Sequence, residues 1–360
     1  MSGTSLDGVD YALCEITPTA IRLREWWSVD FPTALRRDLH AAASDEMRSH
    51  ALGQLHHDLG RFYAEHARRG RRLDAVGLHG QTVYHNPAAQ APATMQLGEP
   101  AYLAEALRAP VVSNFRAADI AAGGQGAPLA TIFHRLVFAR RGATVCVNNL
   151  GGISNVSAFD WRRGKKPRTL AFDTGPANVL MDMAVRRFSG GRQLMDTDGH
   201  LASRGRPDEG LVRRWLRHEY FRRPPPKSTG RELFGEPFFA DAMRGLNGRS
   251  LADVVATFTE FTARSLALNY RLHVPFAPSE IVLTGGGASN PALVAAIARQ
   301  FAGQPVEIYS CQSLGWPAQA IEPAAFALLA ALRLEGLPGN LPETTGARRA
   351  VLLGQITSPK

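Results

Sequence analysis

Apolar residues fall along this chain in short blocks closed by polar turns rich in glycine. Three blocks read as strands entering such turns. Leu73 to Leu78 runs into His79-Gly80-Gln81-Thr82, Val145-Cys146-Val147 leads to Gly151-Gly152, and Glu280 to Leu283 runs into Thr284-Gly285-Gly286-Gly287. Helical spacing appears between them. After Thr174-Gly175, Pro176 suits a first helical position, with Val179, Leu180, Met183 and Phe188 following at helical intervals. Asn290-Pro291 opens a helix from Ala292 to Phe301, and Ser250-x-x-Asp253 forms a capping box before Val254, Val255, Phe258, Phe261 and Leu268. Arg222 to Pro226 and Leu337 to Thr345 read as loops. Strands alternating with helices predict an α/β protein.

Two glycine hairpins, Gly3 to Ile16 and Val145 to Ser157, align by pattern, which predicts an internal duplication into two similar halves with a cleft between them. A chain of 360 residues, 45% hydrophobic and 20% charged, supports a sizeable core and two domains. It has neither an apolar run of membrane-spanning length nor a basic-then-apolar leader, so the expected location is the cytoplasm. Cys14, Cys146 and Cys311 are odd in number and far apart, as expected of reduced core thiols. The net charge of +9 invites a nucleic-acid partner, but the basic residues cluster only briefly, at Arg68 to Arg72 and Arg162 to Lys166, with little aromatic interleaving. Neither nucleic acid nor membrane is expected as a partner. Lysine occurs only at 165, 166, 227 and 360, and of these Lys227 alone sits inside a motif-like stretch.

Several sets of residues carry candidate chemistry. Gly3-Thr4-Ser5-Leu6-Asp7-Gly8-Val9-Asp10 is either an ordinary hairpin or a phosphate-holding turn, in which glycine N–H groups and hydroxyls meet an anion and Asp7 orients hydrated magnesium. Gly285, Gly286 and Gly287 clear side-chain bulk before a helix N-terminus, where a phosphate or planar group can approach. Asp173 is expected at the C-terminal end of a buried strand beside a helix start, where it either caps the helix or, kept ionised by the helix dipole, accepts a proton. Gln81, within His79 to Thr82, and Arg116, within Asn114 to Asp119, suit a hydroxylated or carboxylated ligand. Glu322, on a helix running from Glu322 to Leu332, is either a solvated first-turn carboxylate or a ligand contact.

Gly3 to Asp10, His79 to Thr82, Ala121 to Pro128, Leu150 to Asn155, Phe172 to Pro176, Pro226 to Glu232 and Thr284 to Gly287 together closely resemble the anhydro-N-acetylmuramic acid kinase family, in its order and across nearly the whole chain. The resemblance implies a duplicated two-domain actin/hexokinase-like (ribonuclease H-like) α/β fold with ATP in the interdomain cleft. It divides the chain into a first domain at 1–130, completed by a C-terminal helix and tail from about 318 to 360, and a second at 131–317. It implies a cytoplasmic, homodimeric enzyme of peptidoglycan recycling. The implied reaction phosphorylates 1,6-anhydro-N-acetylmuramic acid with hydrolytic opening of its anhydro ring, giving N-acetylmuramic acid 6-phosphate and ADP.

By resemblance Asp173 is the base that deprotonates water, Gly3 to Asp10 with Gly151 and Gly152 hold the ATP phosphates, and Gly285 to Gly287 pack against adenosine. Asp7 is the candidate for magnesium, and Gln81, Arg116 and Glu322 for the sugar, with Arg116 on its lactyl carboxylate. Lys227 and Arg231 are held more loosely. Family members carry several more residues before the first turn, so with only Met1 and Ser2 ahead of Gly3 the expectation is a phosphate loop anchored on one side. The rival readings are a kinase of another sugar on the same fold and a non-kinase ATPase such as a chaperone or filament protein.

Overall fold

A computed structural model describes the chain except for Thr4, Ser5, Arg69, Ala88, Ala89 and Lys360. Its strands are β1 (Gly8–Thr17), β2 (Ala20–Asp30), β3 (Val76–Gly77), β4 (Gln81–Asn86), β5 (Ala93–Leu97), β6 (Val111–Ser113), β7 (Thr144–Leu150), β8 (Ile153–Asp160), β9 (Arg168–Pro176), β10 (Glu280–Thr284), β11 (Glu307–Ser310) and β12 (Gln355–Thr357). The residues divide into two compact units, one made of Met1–Val137 with Gln319–Lys360 and the other of Phe138–Ala318.

The second unit is built on one five-stranded sheet in the order β11-β10-β7-β8-β9. β10 runs parallel to both β7 and β11, while β8 is antiparallel to β7 and β9. With β7 as its first strand, this is the ribonuclease H-like order, in which the second strand alone is reversed. Behind it lies the helix Leu251–His273, where Ser250 Oγ accepts from the Asp253 N–H at 3.2 Å and Val254, Val255, Phe258 and Phe261 are buried, as their spacing predicts. Trp215, Phe234 and Phe238 stack on or meet Phe258 and Phe261 edge-on, filling the space beside that helix. The predicted helix after Asn290-Pro291 is also present, with Asn290 Oδ1 accepting from the N–H groups of Ala292 and Leu293.

The first unit has the hairpin β1-β2, a separate three-stranded sheet β12-β6-β3 and the hairpin β4-β5. Its core gathers Leu6, Val9, Phe31, Leu39, Leu55, Leu59, Tyr63, Leu97 and Val111. Two segments expected to be turns or loops are ordered differently. Gln81 and Thr82 belong to β4, opposite Leu97 and Gln96, and Pro342–Thr345 forms a short helix.

No helix among the described residues is long and apolar enough to cross a membrane. Cys14, Cys146 and Cys311 are all free thiols, and burial pushes the Cys311 thiol up to about 11, which leaves it protonated and unreactive at neutral pH.

Candidate active site

In the second unit, the turn Gly151-Gly152 joins β7 to β8. Its carbonyls face the helix Val179–Phe188: Gly151 O accepts from the Asn178 N–H at 3.0 Å, and Gly152 O from those of Ala177 and Val179 at 2.9 and 3.2 Å. The turn thereby satisfies that helix start from outside. Added Cβ atoms would have room at both glycines, so packing does not demand them, whereas a ligand approaching the backbone would.

The same contrast separates the three glycines after β10. Gly285 has φ +75°, and a Cβ there would lie 2.3 Å from Asn149 Oδ1; at Gly287 it would lie 2.8 Å from Leu150 Cβ. Both are glycine because the loop packs on the end of β7. Nothing stands within 4 Å of a Cβ on Gly286, so that position is open to a ligand.

Asp173 lies within β9 and not at a helix start, because β9 continues through Pro176 and the helix begins at Val179. Pro176 is thus the last strand residue and not the first helical one. A bulge sets the carboxylate's direction: Ser154 pairs with Gly175 and Asn155 with Asp173, leaving Thr174 as the extra residue. The Thr174 hydroxyl donates to Ser154 Oγ at 2.7 Å, and Asn269 Nδ2 donates to the Thr174 carbonyl at 2.8 Å. Asn148 Nδ2 donates to the same Ser154 Oγ at 2.6 Å, and Tyr270 donates its hydroxyl to Asn148 Oδ1 at 3.1 Å. This buried polar network, spread over four elements, has no local sequence signal, and it locks the bulge beside Asp173.

The carboxylate accepts from the Thr229 backbone N–H at 2.9 Å through Oδ2. Burial raises the Asp173 pKa to about 7, opposed by the Thr229 N–H and by Lys227 and reinforced by Glu232. The expected fully ionised carboxylate is therefore corrected: desolvation outweighs the Thr229 N–H and the Lys227 charge, and Asp173 is pushed up to about 7.

In the first unit the predicted phosphate turn ends at Asp7. Gly8, Val9 and Asp10 already belong to β1, opposite Asp30, Val29 and Ser28, and a Cβ on Gly8 would sit 2.6 Å from the Val29 carbonyl. Leu6, at φ +59°, and Val9 are buried, while Asp7 is exposed and its carbonyl accepts from the Phe31 N–H at 2.9 Å. Thr4 and Ser5 lie outside the described residues. Gly3 is tied to Gln81, whose Nε2 donates to its carbonyl at 3.0 Å.

Gln81 is fully buried, yet its Oε1 has no partner among the described residues. Arg116 donates from Nη1 to the Gly126 carbonyl at 2.7 Å and from Nη2 to His79 Nε2 at 2.9 Å, while its buried Nε has no partner among the described residues. Since His79 Nδ1 lies 2.7 Å from the Gly80 carbonyl, the proton sits on Nδ1 and Nε2 accepts. Burial and the Arg116 charge hold His79 far below the usual histidine range, which fixes this neutral form. Burial likewise lowers Arg116 to about 10, partly offset by Glu322 and Asp119. His79, quoted in its motif but assigned no role from sequence, is the residue that orients the guanidinium.

Glu322 lies in the second turn of the helix Ala318–Leu334, so the first-turn reading is corrected. Its side chain is exposed, while desolvation by surrounding protein raises its pKa against the pull of Arg116. Within the first unit, then, Gln81 holds Gly3, while Arg116 is held by His79 and feels the charge of Glu322. In the second, Asp173, Thr229, Lys227 and Glu232 form a polar group, beside the glycine turns. No cluster of three or more metal-ligating side chains occurs among the described residues.

Across residues 1–359 the chain matches the model of the family described as anhydro-N-acetylmuramic acid kinase. It is 43% identical over 373 residues to the anhydro-N-acetylmuramic acid kinase of Streptomyces coelicolor, covering 99% of this chain and 92% of the relative. The enzyme of the same name from Gloeobacter violaceus is 42% identical over 375 residues, covering 99% and 97%. Among solved structures, a ROK family glucokinase from Streptomyces griseus in complex with glucose and AMPPNP superposes on 89% of this chain and 99% of its own at 14% identity, with a TM-score of 0.34, too loose a likeness to carry an argument. On the full-length match and the identity of these relatives, the chain belongs to the anhydro-N-acetylmuramic acid kinase family.

Proposed function

We propose that this chain is an ATP-dependent kinase of 1,6-anhydro-N-acetylmuramic acid that acts in peptidoglycan recycling. The observation that carries the mechanism is Asp173: a carboxyl anchored by the Thr229 N–H and poised to titrate near pH 7, where a general base works best.

The anhydro sugar has no free hydroxyl on its sixth carbon, so that oxygen must be released before it can be phosphorylated. Asp173 takes a proton from a water whose oxygen bonds to the anomeric carbon. The bond from that carbon to the bridging oxygen breaks, and its electron pair stays on the oxygen. That oxygen attacks the γ-phosphorus of ATP, and ADP leaves. Sugar, ATP and water thus give the 6-phosphate of the opened sugar and ADP, with the proton left on Asp173. The remaining task is in-line positioning and neutralisation of phosphate charge.

Several residues support these roles by their unsatisfied or open positions. Among the described residues Gln81 Oε1 and Arg116 Nε are buried polar atoms lacking a partner, as expected of groups that bond a sugar hydroxyl and a carboxylate. Glu322 is the third sugar candidate. The open backbone at Gly151, Gly152 and Gly286 supports contact with the nucleotide, and Gly3 and Asp7 belong to the same reading. Asp7, exposed at the end of that turn, would hold magnesium through water, and the ion would neutralise phosphate charge. Homodimeric assembly and a cytoplasmic location are part of the same reading.

Incubating the protein with ATP, magnesium and the anhydro sugar and weighing the product tests the proposal. The expected product is heavier than the substrate by both a phosphoryl group and a water. A product gaining phosphate alone would overturn the mechanism, and no product would overturn the substrate.

A further inference from the structure

Lysine is rare in this arginine-rich chain, and among the described residues Lys227 is its one buried lysine, 4% exposed. Nζ donates to the carbonyls of Tyr220 at 3.2 Å and Phe221 at 3.4 Å. It lies 4.7 Å from the centroid of the Tyr220 ring and 5.6 Å from that of Phe172, the residue before Asp173. No carboxylate lies within 4.0 Å of it among the described residues.

The segment that carries Lys227 is strapped onto Asp173. The Asp173 N–H donates to the Lys227 carbonyl at 3.2 Å, and the Thr229 N–H donates to Asp173 Oδ2 at 2.9 Å. Tyr220, whose ring lies beside the ammonium, donates its hydroxyl to the Asp173 carbonyl at 2.6 Å. Ammonium, ring and the Asp173 backbone are therefore joined by one set of contacts. A compact ammonium fits between two carbonyls and two rings where a planar guanidinium would not, which accounts for lysine where the chain elsewhere prefers arginine.

We propose that Lys227 is a positioning residue for the base: its buried ammonium, seated against the Tyr220 ring that bonds the Asp173 backbone, favours the carboxylate form, and the strap from Lys227 to Thr229 fixes where that carboxylate points. The proposal rests on reading Asp173 as the base. Glu232 opposes Lys227 by pushing the Asp173 carboxyl toward protonation, and Arg223 pushes Lys227 toward the neutral amine; Tyr220 and His273 are the other titratable groups in reach. Asp173 titrates at about 7 and Lys227, lowered by burial, at about 8, so the two are poised to exchange influence across the neutral range.

The test uses the full chain carrying Lys227→Met or Lys227→Ala, with kcat/KM against pH and the ¹³C titration of the Asp173 carboxyl, assigned through Asp173→Asn. Both variants are expected to raise the acid limb of kcat/KM and the carboxyl titration together by about one pH unit. Activity at pH 7 then falls about fivefold, from a carboxyl half ionised to one about a tenth ionised, and recovers as pH rises, because one unit is a tenfold change in the ionisation equilibrium. Added ethylammonium is expected to restore part of that loss in Lys227→Ala. A uniform loss at every pH with the carboxyl titration unmoved would reduce Lys227 to a structural residue and overturn the proposal. The unmodified protein gives a second measure should the variants not fold: its Asp173 carboxyl signal should inflect again as Lys227 loses its proton, and a single inflection also overturns the idea. Asp173→Asn with near-normal turnover would instead remove Asp173 as base while leaving the carboxyl titration as observed, so the two failures are distinct.

Discussion

Arg116 Nη2 donates to Nε2 of a neutral His79 across 2.9 Å, so a buried imidazole holds a guanidinium that carries the sugar proposal. His79→Phe keeps an aromatic ring beside Phe326, 4.5 Å away between centroids, but removes both the Nε2 acceptor and the Nδ1–H that bonds the Gly80 carbonyl. Orphaning a buried charged donor costs about 3 kcal/mol or more. The expected outcome is a rise of about tenfold in KM for the anhydro sugar at little change in kcat, with KM for ATP unmoved. An unchanged sugar KM would detach His79 from the site.

Asp173 sets a pH dependence in activity and an opposite one in stability. Below its value of about 7 the base is protonated, so kcat/KM should rise about tenfold per unit from acid pH and level off above neutrality. Because the folded value lies above the ordinary carboxyl value of 3.8, the native state binds more protons than the unfolded chain between the two. This contribution to stability is therefore full below about pH 4, falls as pH rises to about 7 and is flat beyond. Asp173→Asn should abolish turnover, keep nucleotide binding, and melt higher than the parent at pH 8 but not at pH 4. Calorimetry at the two pH values and a binding titration check all three.

The glycines after β10 separate packing from ligand approach. Gly285→Ala forces a side chain to φ +75° and into Asn149 and Leu150, at a strain of about 1–3 kcal/mol, and should lower the melting temperature. Gly286→Ala meets nothing within 4 Å, so its melting temperature should hold or rise slightly. KM for ATP should nonetheless increase at least about tenfold in Gly286→Ala. Equal ATP KM values in parent and variant would remove Gly286 from the nucleotide site.

Asp119 couples the first unit's arginine to its C-terminal segment. Oδ1 accepts from Asn340 Nδ2 and the Thr345 hydroxyl, both at 2.7 Å, and Oδ2 accepts from the Gly126 N–H at 2.8 Å. Gly126 in turn offers the carbonyl that Arg116 Nη1 bonds. Asp119→Ala leaves these buried donors unmet, a loss of about 3 kcal/mol or more. Denaturant unfolding should register it, and Asp119→Asn should cost less while still weakening sugar binding through Gly126.

Residue order alone determined the α/β alternation, the helices opened by Ser250 and Asn290, and the glycine turns at 151–152 and 285–287. These features are local, because caps, proline and glycine act within a few residues of themselves. Tertiary structure decided the rest. Asp173 reads from sequence as a residue at a helix start, but strand pairing with β8 carries β9 three residues further, and burial rather than a helix dipole then sets its proton affinity. Gly285 and Gly286 are indistinguishable in sequence, and only the approach of Asn149 and Leu150 makes one a packing residue and the other an open position. The same holds for His79 and Arg116, 37 positions apart, whose tautomer and orientation exist only because the fold buries them against each other. Such long-range desolvation and contact have no periodicity for a sequence to display, so the chain announces which residues carry chemistry and the fold decides in which protonation state they carry it.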